Sequence, residues 1–111
     1  MDETMVSAPP AILIFENQPR QAAAYRELFE GRGYRAETAL PNQDVKGICQ
    51  RFHPALVIFD MSFWEADTAY VFGVLTEADG FERPIIIALS TLPHQTRRAK
   101  RFGADAVWIR G

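Results

Sequence analysis

The chain has one cysteine, Cys49, among 111 residues. A lone thiol excludes an internal disulfide and a cysteine-built metal cluster. Excess positive charge is also missing: 12 Lys and Arg stand against 14 Asp and Glu, for a net charge of -2. That balance gives no reason to expect nucleic acid or an anionic membrane as partner. No apolar run approaches the length of a membrane span. The opening Met1-Asp2-Glu3-Thr4-Met5 has neither the basic start nor the apolar stretch of a signal peptide, so a cytoplasmic protein is expected. Internal repeats and low-complexity segments are absent. No glycine-rich phosphate loop follows the first apolar run, where Glu16-Asn17-Gln18-Pro19 stands. This ranks a small flavodoxin-like enzyme or nucleotide binder below other readings.

What is present suffices for one packed domain, with 48% hydrophobic and 23% charged residues. Residues 1 to 10 end in Ser7-Ala8-Pro9-Pro10 and read as an irregular arm; residues 11 to 111 form the domain. Five apolar residues run unbroken from Ala55 to Phe59, between Pro54 and Asp60. Without alternation, neither face expects water, which points to a central parallel strand covered on both sides. Ala11 to Phe15 is a second such run, and Pro84 to Leu89 a third. Tyr34 to Thr38 alternates weakly, as an edge strand does, and Ala106 to Ile109 is a last short strand.

Helical patterns separate these strands. Tyr25, Leu28 and Phe29 form one stripe on a helix from about Gln21 to Gly31, with Asn17 and Pro19 as start signals. Val45, Ile48, Cys49 and Phe52 form a second, which makes Cys49 a buried structural thiol and not a nucleophile. His53 closes that helix. Met61 to Glu65 reads as a loop with two exposed aromatics, Phe63 and Trp64. These two serve either as a partner-binding patch or as a lid over the site. Helices from about Asp67 to Ala78, with Val71, Phe72 and Leu75 inward, and from Pro93 to Phe102 complete the pattern. The latter carries Arg97, Arg98, Lys100 and Arg101 on what reads as a solvated face. The alternation predicts an α/β, doubly wound parallel five-stranded sheet of order 2-1-3-4-5, flavodoxin-like in topology.

In such sheets ligands sit beyond the carboxyl ends of the strands. Those ends carry Glu16-Asn17, Asp60, Ser90-Thr91 and Arg110. A carboxylate nucleophile, a second acid, a hydroxyl and a cation are the parts that phosphoryl transfer uses.

From Ala11 to Arg110 the sequence resembles the receiver domains of two-component response regulators. Pro54 to Asp60 is similar to that family's P-D-L-V-L-L-D strand, and Glu16-Asn17 to its acidic pair. Ser90 matches its hydroxyl residue, Gly103-Ala104-Asp105-Ala106 its G-A-D-D run, and Arg110 its lysine. The resemblance implies a non-enzymatic signalling module. Asp60 would be the phosphoacceptor from a histidine kinase or phosphotransfer protein, with Ser90 sensing and Arg110 pairing with the phosphate. Mg²⁺ would be held by Glu16, Asn17, Asp60 and Ser62. The close alternative is a pseudo-receiver, a phosphorylation-independent interaction or dimerisation module.

The departures from the pattern are specific. Asn17 brings an amide where the pair has an acid, so Mg²⁺ binding should be weak. Arg110 is forked and planar where an ammonium is compact. The family's fifth helix has no counterpart before Gly111. One face of the strands is thereby half bare, and self-association through it is expected.

Overall fold

The computed structural model describes residues 9–110. The expected arm falls outside the described residues, except for Pro9 and Pro10, which are exposed and irregular. Five strands and four helices alternate: β1 (Ala11–Phe15), α1 (Pro19–Gly31), β2 (Arg35–Ala39), α2 (Val45–Phe52), β3 (Leu56–Asp60), α3 (Glu65–Glu77), β4 (Ile85–Ser90), α4 (Pro93–Phe102) and β5 (Ala106–Ile109). All pairings are parallel, and the sheet order is β2-β1-β3-β4-β5, as the strand pattern predicts.

The three unbroken apolar runs take the middle of the sheet because only there are both faces covered. Residues 11–15 of β1 are all buried, as are residues 57–60 of β3. On one face, α2, α3 and α4 close over Leu13, Phe15, Val57, Phe59, Ile86 and Ala88. The centre of that core is a run of touching rings. Phe59 lies 5.4 Å from Phe15, 5.4 Å from Phe63 and 5.2 Å from Phe72, measured between ring centroids. Tilted and edge-on contacts at this spacing add to the area they bury.

Among the described residues the opposite face has α1 alone. Ile12, Ile14, Ile58 and Leu89 are buried beneath it, with Tyr25, Phe29 and Leu56 partly covered. The cover is incomplete: Leu28, on α1 itself, is 49% exposed, Trp108 54% and Ile85 58%. A groove of about 340 Å³ lies there, lined by Tyr25, Leu28, Phe29, Ile58, Leu89 and Trp108, among others.

Helix ends follow local chemistry. α1 begins at Pro19, earlier than the apolar stripe suggests, since Pro needs no N–H in a first turn. Asp44 caps α2 by accepting from the Gly47 N–H at 3.1 Å. His53 ends α2 in the left-handed conformation, φ 49°, with its backbone N–H donated to Cys49. α3 starts at Glu65 rather than Asp67, with Glu65 and Asp67 both in its first turn, where the helix dipole favours acids. Gly103 closes α4 at φ 108°. Cys49 is fully buried, and burial pushes its thiol up to about 11, as expected of an inert packing residue.

The pair of exposed aromatics divides. Trp64 is in solvent, but Phe63 is buried against Phe59. The loop after β3 places Phe63 in the closed-face core, where its ring meets that of Phe59. Arg98 also departs from its solvated-face reading. Its guanidinium is half buried and donates to the Met61 carbonyl at 2.9 Å, tying α4 to that loop.

Candidate functional site

The carboxyl ends of β1 and β3 are adjacent, and each finishes on an acid. Glu16 and Asp60 are both only 3% exposed. Burying two carboxylates costs several kcal/mol unless charge and hydrogen bonds compensate. Here the compensation is Arg110, which follows β5 and reaches over the sheet edge. One of its terminal nitrogens donates to Glu16 Oε1 at 3.0 Å and to the Tyr25 hydroxyl at 2.9 Å; the other donates to Asp60 Oδ1 at 3.3 Å. A fork with several fixed donors can make all three contacts at once, whereas an ammonium presents one nitrogen.

Asp60 is further held from the loop it opens. The Ser62 hydroxyl donates to Oδ2 at 2.7 Å and the Ser62 N–H to Oδ1 at 3.0 Å. Glu16 accepts the Gln18 N–H at 3.0 Å. Burial pushes the Glu16 carboxyl upward, reinforced by its neighbour Asp60, and outweighs the opposing pull of Gln18 and Arg110. For Arg110, burial favours the neutral form, but its hydrogen bonds to Tyr25 and Glu16 and the charge on Asp60 prevail and raise its pKa.

Glu16, Asp60, Ser62 and Arg110 therefore meet. Ser90 stands at the same edge, and its carbonyl accepts the Arg110 N–H at 2.7 Å. Its hydroxyl turns instead to the start of α4, bonding the Leu92 carbonyl at 3.0 Å and the Thr96 hydroxyl at 2.8 Å. Asn17 is exposed and, with Glu16, lines a cleft beside Pro19, Ala22 and Arg26. Tyr25 is the residue that sequence pattern assigns to the core alone. Its hydroxyl meets a guanidinium 85 positions away in the chain, and no local signal foretells that contact.

Two buried carboxylates with oxygens turned to one point are the donor type a hard divalent cation takes. Among the described residues no third His, Cys, Asp or Glu joins them. The set fits a cation that keeps several waters, as Mg²⁺ does.

No protein-family model matches the sequence, and no curated protein matches it. Solved structures do. The receiver domain of a response regulator from Bermanella marisrubri superposes with a TM-score of 0.78 at 23% identity, covering 92% of this chain and 86% of that one. Chemotaxis protein CheY4 of Vibrio cholerae gives 0.78 at 16% identity, over 93% and 88%. The receiver domain of a signal transduction histidine kinase from Syntrophus aciditrophicus gives 0.75 at 25% identity, over 91% and 78%. Strand order and the helices that are present agree with this likeness, and the chain is a divergent domain of the response-regulator receiver fold.

Proposed function

We propose that the chain is a signal receiver that accepts a phosphoryl group on Asp60 from a phosphohistidine of a kinase or phosphotransfer protein. The observation that carries the reading is the placement of Asp60. It is a buried carboxylate ending the central strand, beside a second acid and under a guanidinium. In the transfer a carboxylate oxygen of Asp60 forms a bond to phosphorus while the phosphorus–nitrogen bond of the donor breaks. The electron pair leaves with the imidazole, and an acyl phosphate remains. The chain is the acceptor and not a turnover catalyst.

Each neighbour has a task in this reading. Ser62 orients the carboxylate through two hydrogen bonds. Arg110 already sits on Asp60 Oδ1, so its fork is placed to pair with oxygens of an incoming phosphoryl group. Ser90 lies one residue from the start of the loop into α4, and turning its hydroxyl from Thr96 toward the phosphate would move that loop. Mg²⁺, held by Glu16 and Asp60, would neutralise phosphate charge. A phosphohistidine donor of this kind would meet the chain in the cytoplasm; no helix of the described residues is long and apolar enough to cross a membrane. No nucleic acid is engaged by this domain.

A phosphorylation-independent interaction module is the second reading, and the exposed apolar groove beside Trp108 favours it. Acetyl phosphate with excess Mg²⁺ separates the two by intact mass. The expected result is one phosphate increment that Asp60→Asn abolishes without loss of fold. No increment in the parent protein rejects the receiver reading, and an increment retained in Asp60→Asn moves the chemistry elsewhere.

A further inference from the structure

Arg110 occupies the ground that a divalent cation would need. Its two terminal nitrogens span Glu16 Oε1 and Asp60 Oδ1, the two carboxylates facing that point. A cation binding those same two oxygens competes with the guanidinium for them. What holds the guanidinium is not only the two acids. Tyr25 adds a third contact at 2.9 Å, to the same nitrogen that serves Glu16.

Tyr25 is suited to that task. It belongs to α1, a 13-residue helix, and the half-buried residue packs, as Phe29 and Leu56 do, against the minor core of Ile12, Ile14, Ala36, Ile58 and Leu89. The ring enters from the groove side, so the hydroxyl reaches Arg110 from outside the acidic pair. A phenol oxygen carries no formal charge that a metal could attract. It can hold the guanidinium but has little to offer the incoming ion. The bond therefore favours the state with Arg110 across the carboxylates.

We propose that Tyr25 is a positioning residue that latches Arg110 over Glu16 and Asp60, making the guanidinium an internal competitor of the divalent cation. This rests on the reading of Glu16 and Asp60 as the cation pair. The bland reading is that the hydroxyl of a packing tyrosine has merely found a partner. The two differ in what happens to metal affinity when the hydroxyl alone is deleted.

The test is Mg²⁺ titration by calorimetry, with the Ser62 amide shift as the site-specific signal, on four proteins: parent, Tyr25→Phe, Arg110→Gln and the double variant. Tyr25→Phe keeps the ring in the core. It should tighten Mg²⁺ binding on the order of threefold to tenfold, the net worth of one typical hydrogen bond. Arg110→Gln should tighten it at least as much. In the Arg110→Gln background Tyr25→Phe should add nothing, because the latch has nothing left to hold.

An unchanged or weakened affinity in Tyr25→Phe overturns the inference. So does an equal gain in both backgrounds, since the effect would then bypass Arg110. Absence of Mg²⁺ binding in all four proteins overturns it as well. Should Tyr25→Phe fail to fold, Arg110→Gln decides: a gain below about twofold means that no internal competitor exists. The outcomes remain separate from those of the receiver reading. A parent that takes up phosphate while its Mg²⁺ affinity ignores Tyr25 loses the latch only. A parent that shows the latch but takes no phosphate loses the receiver reading only.

Discussion

The two faces of the sheet are built from the same kinds of residue and have opposite fates. On the face closed by α2, α3 and α4, Phe15, Phe59, Phe72, Val57 and Ile86 are all but completely buried. On the α1 face, Leu28, Ile85 and Trp108 are as apolar and stand about half in water. Alternation along β4 and β5 makes the division visible within single strands. Ile86 and Ala88 point to the closed face, while Ile85 and Trp108 point to the open one. Hydrophobicity of a strand residue therefore shows that it wants cover, and only the count of helices shows whether this chain supplies it.

The comparison is broken most forcefully at the centre of the closed face. Phe72→Ala removes a ring in contact with Phe59 and, at 6.0 Å between centroids, with Phe102. We expect a loss of roughly 3–5 kcal/mol, the usual cost of a large buried aromatic and its cavity. That approaches the whole stability of a small domain, so much of the population should be unfolded. Urea denaturation followed by circular dichroism reads the change. A loss under about 1 kcal/mol would mean that this core is not close-packed.

A smaller effect is expected at the entry to β5, the strand with least cover. No residue of β5 is fully buried, so packing does little to hold it. A polar clamp does more. Asp105 accepts from Arg83 at 2.8 Å and from the Ile86 N–H at 2.8 Å, while Arg83 also donates to the Gly103 carbonyl at 3.0 Å. The Arg83 hydrogen bond holds the Asp105 carboxyl below its ordinary value of 3.8. The unfolded chain then binds the proton more readily than the folded one. The stabilisation is complete above the ordinary aspartate range and is lost as pH falls through the lower, folded value. Because the pair is about two-fifths exposed, its worth is discounted for solvent to about 1 kcal/mol. Asp105→Asn should lower the urea midpoint at pH 7 and match the parent at pH 2. A difference that persists in acid would show that the clamp acts by shape and not by charge.

Much of this was written in the order of residues. Three unbroken apolar runs named the inner strands, the weakly alternating Tyr34 to Thr38 run lies at the sheet edge, and acids at the ends of the first and third runs share one carboxyl edge. Those signals are local and survive reading one residue at a time. Phe63 and Tyr25 are different. The burial of Phe63 depends on where its loop folds back, and the Tyr25 hydroxyl contact depends on a residue beyond the last strand. The start of α3 shifted for a related reason, because Trp64 precedes it with no side-chain cap to mark the boundary. Contacts across the chain carry no periodicity, so pattern alone leaves them blank.

The smallest stability effect belongs to the open face, and it sharpens the comparison most. Trp108 is the largest side chain there and lines the groove with Leu28 and Leu89. About half of it already contacts water, so Trp108→Ala forfeits far less burial than Phe72→Ala removes. In dilute solution we expect a stability change below about 1 kcal/mol. The larger consequence should lie in association. Apolar groups clustered at this opening favour contact between copies, and replacing the largest of them should weaken it. Light scattering over a range of concentrations would show the parent gaining mass as concentration rises, and Trp108→Ala gaining less. A parent that stays monomeric throughout, with cooperative unfolding, would mean that this face tolerates water as it stands. A stability loss from Trp108→Ala as large as that from Phe72→Ala would remove the distinction between the two faces.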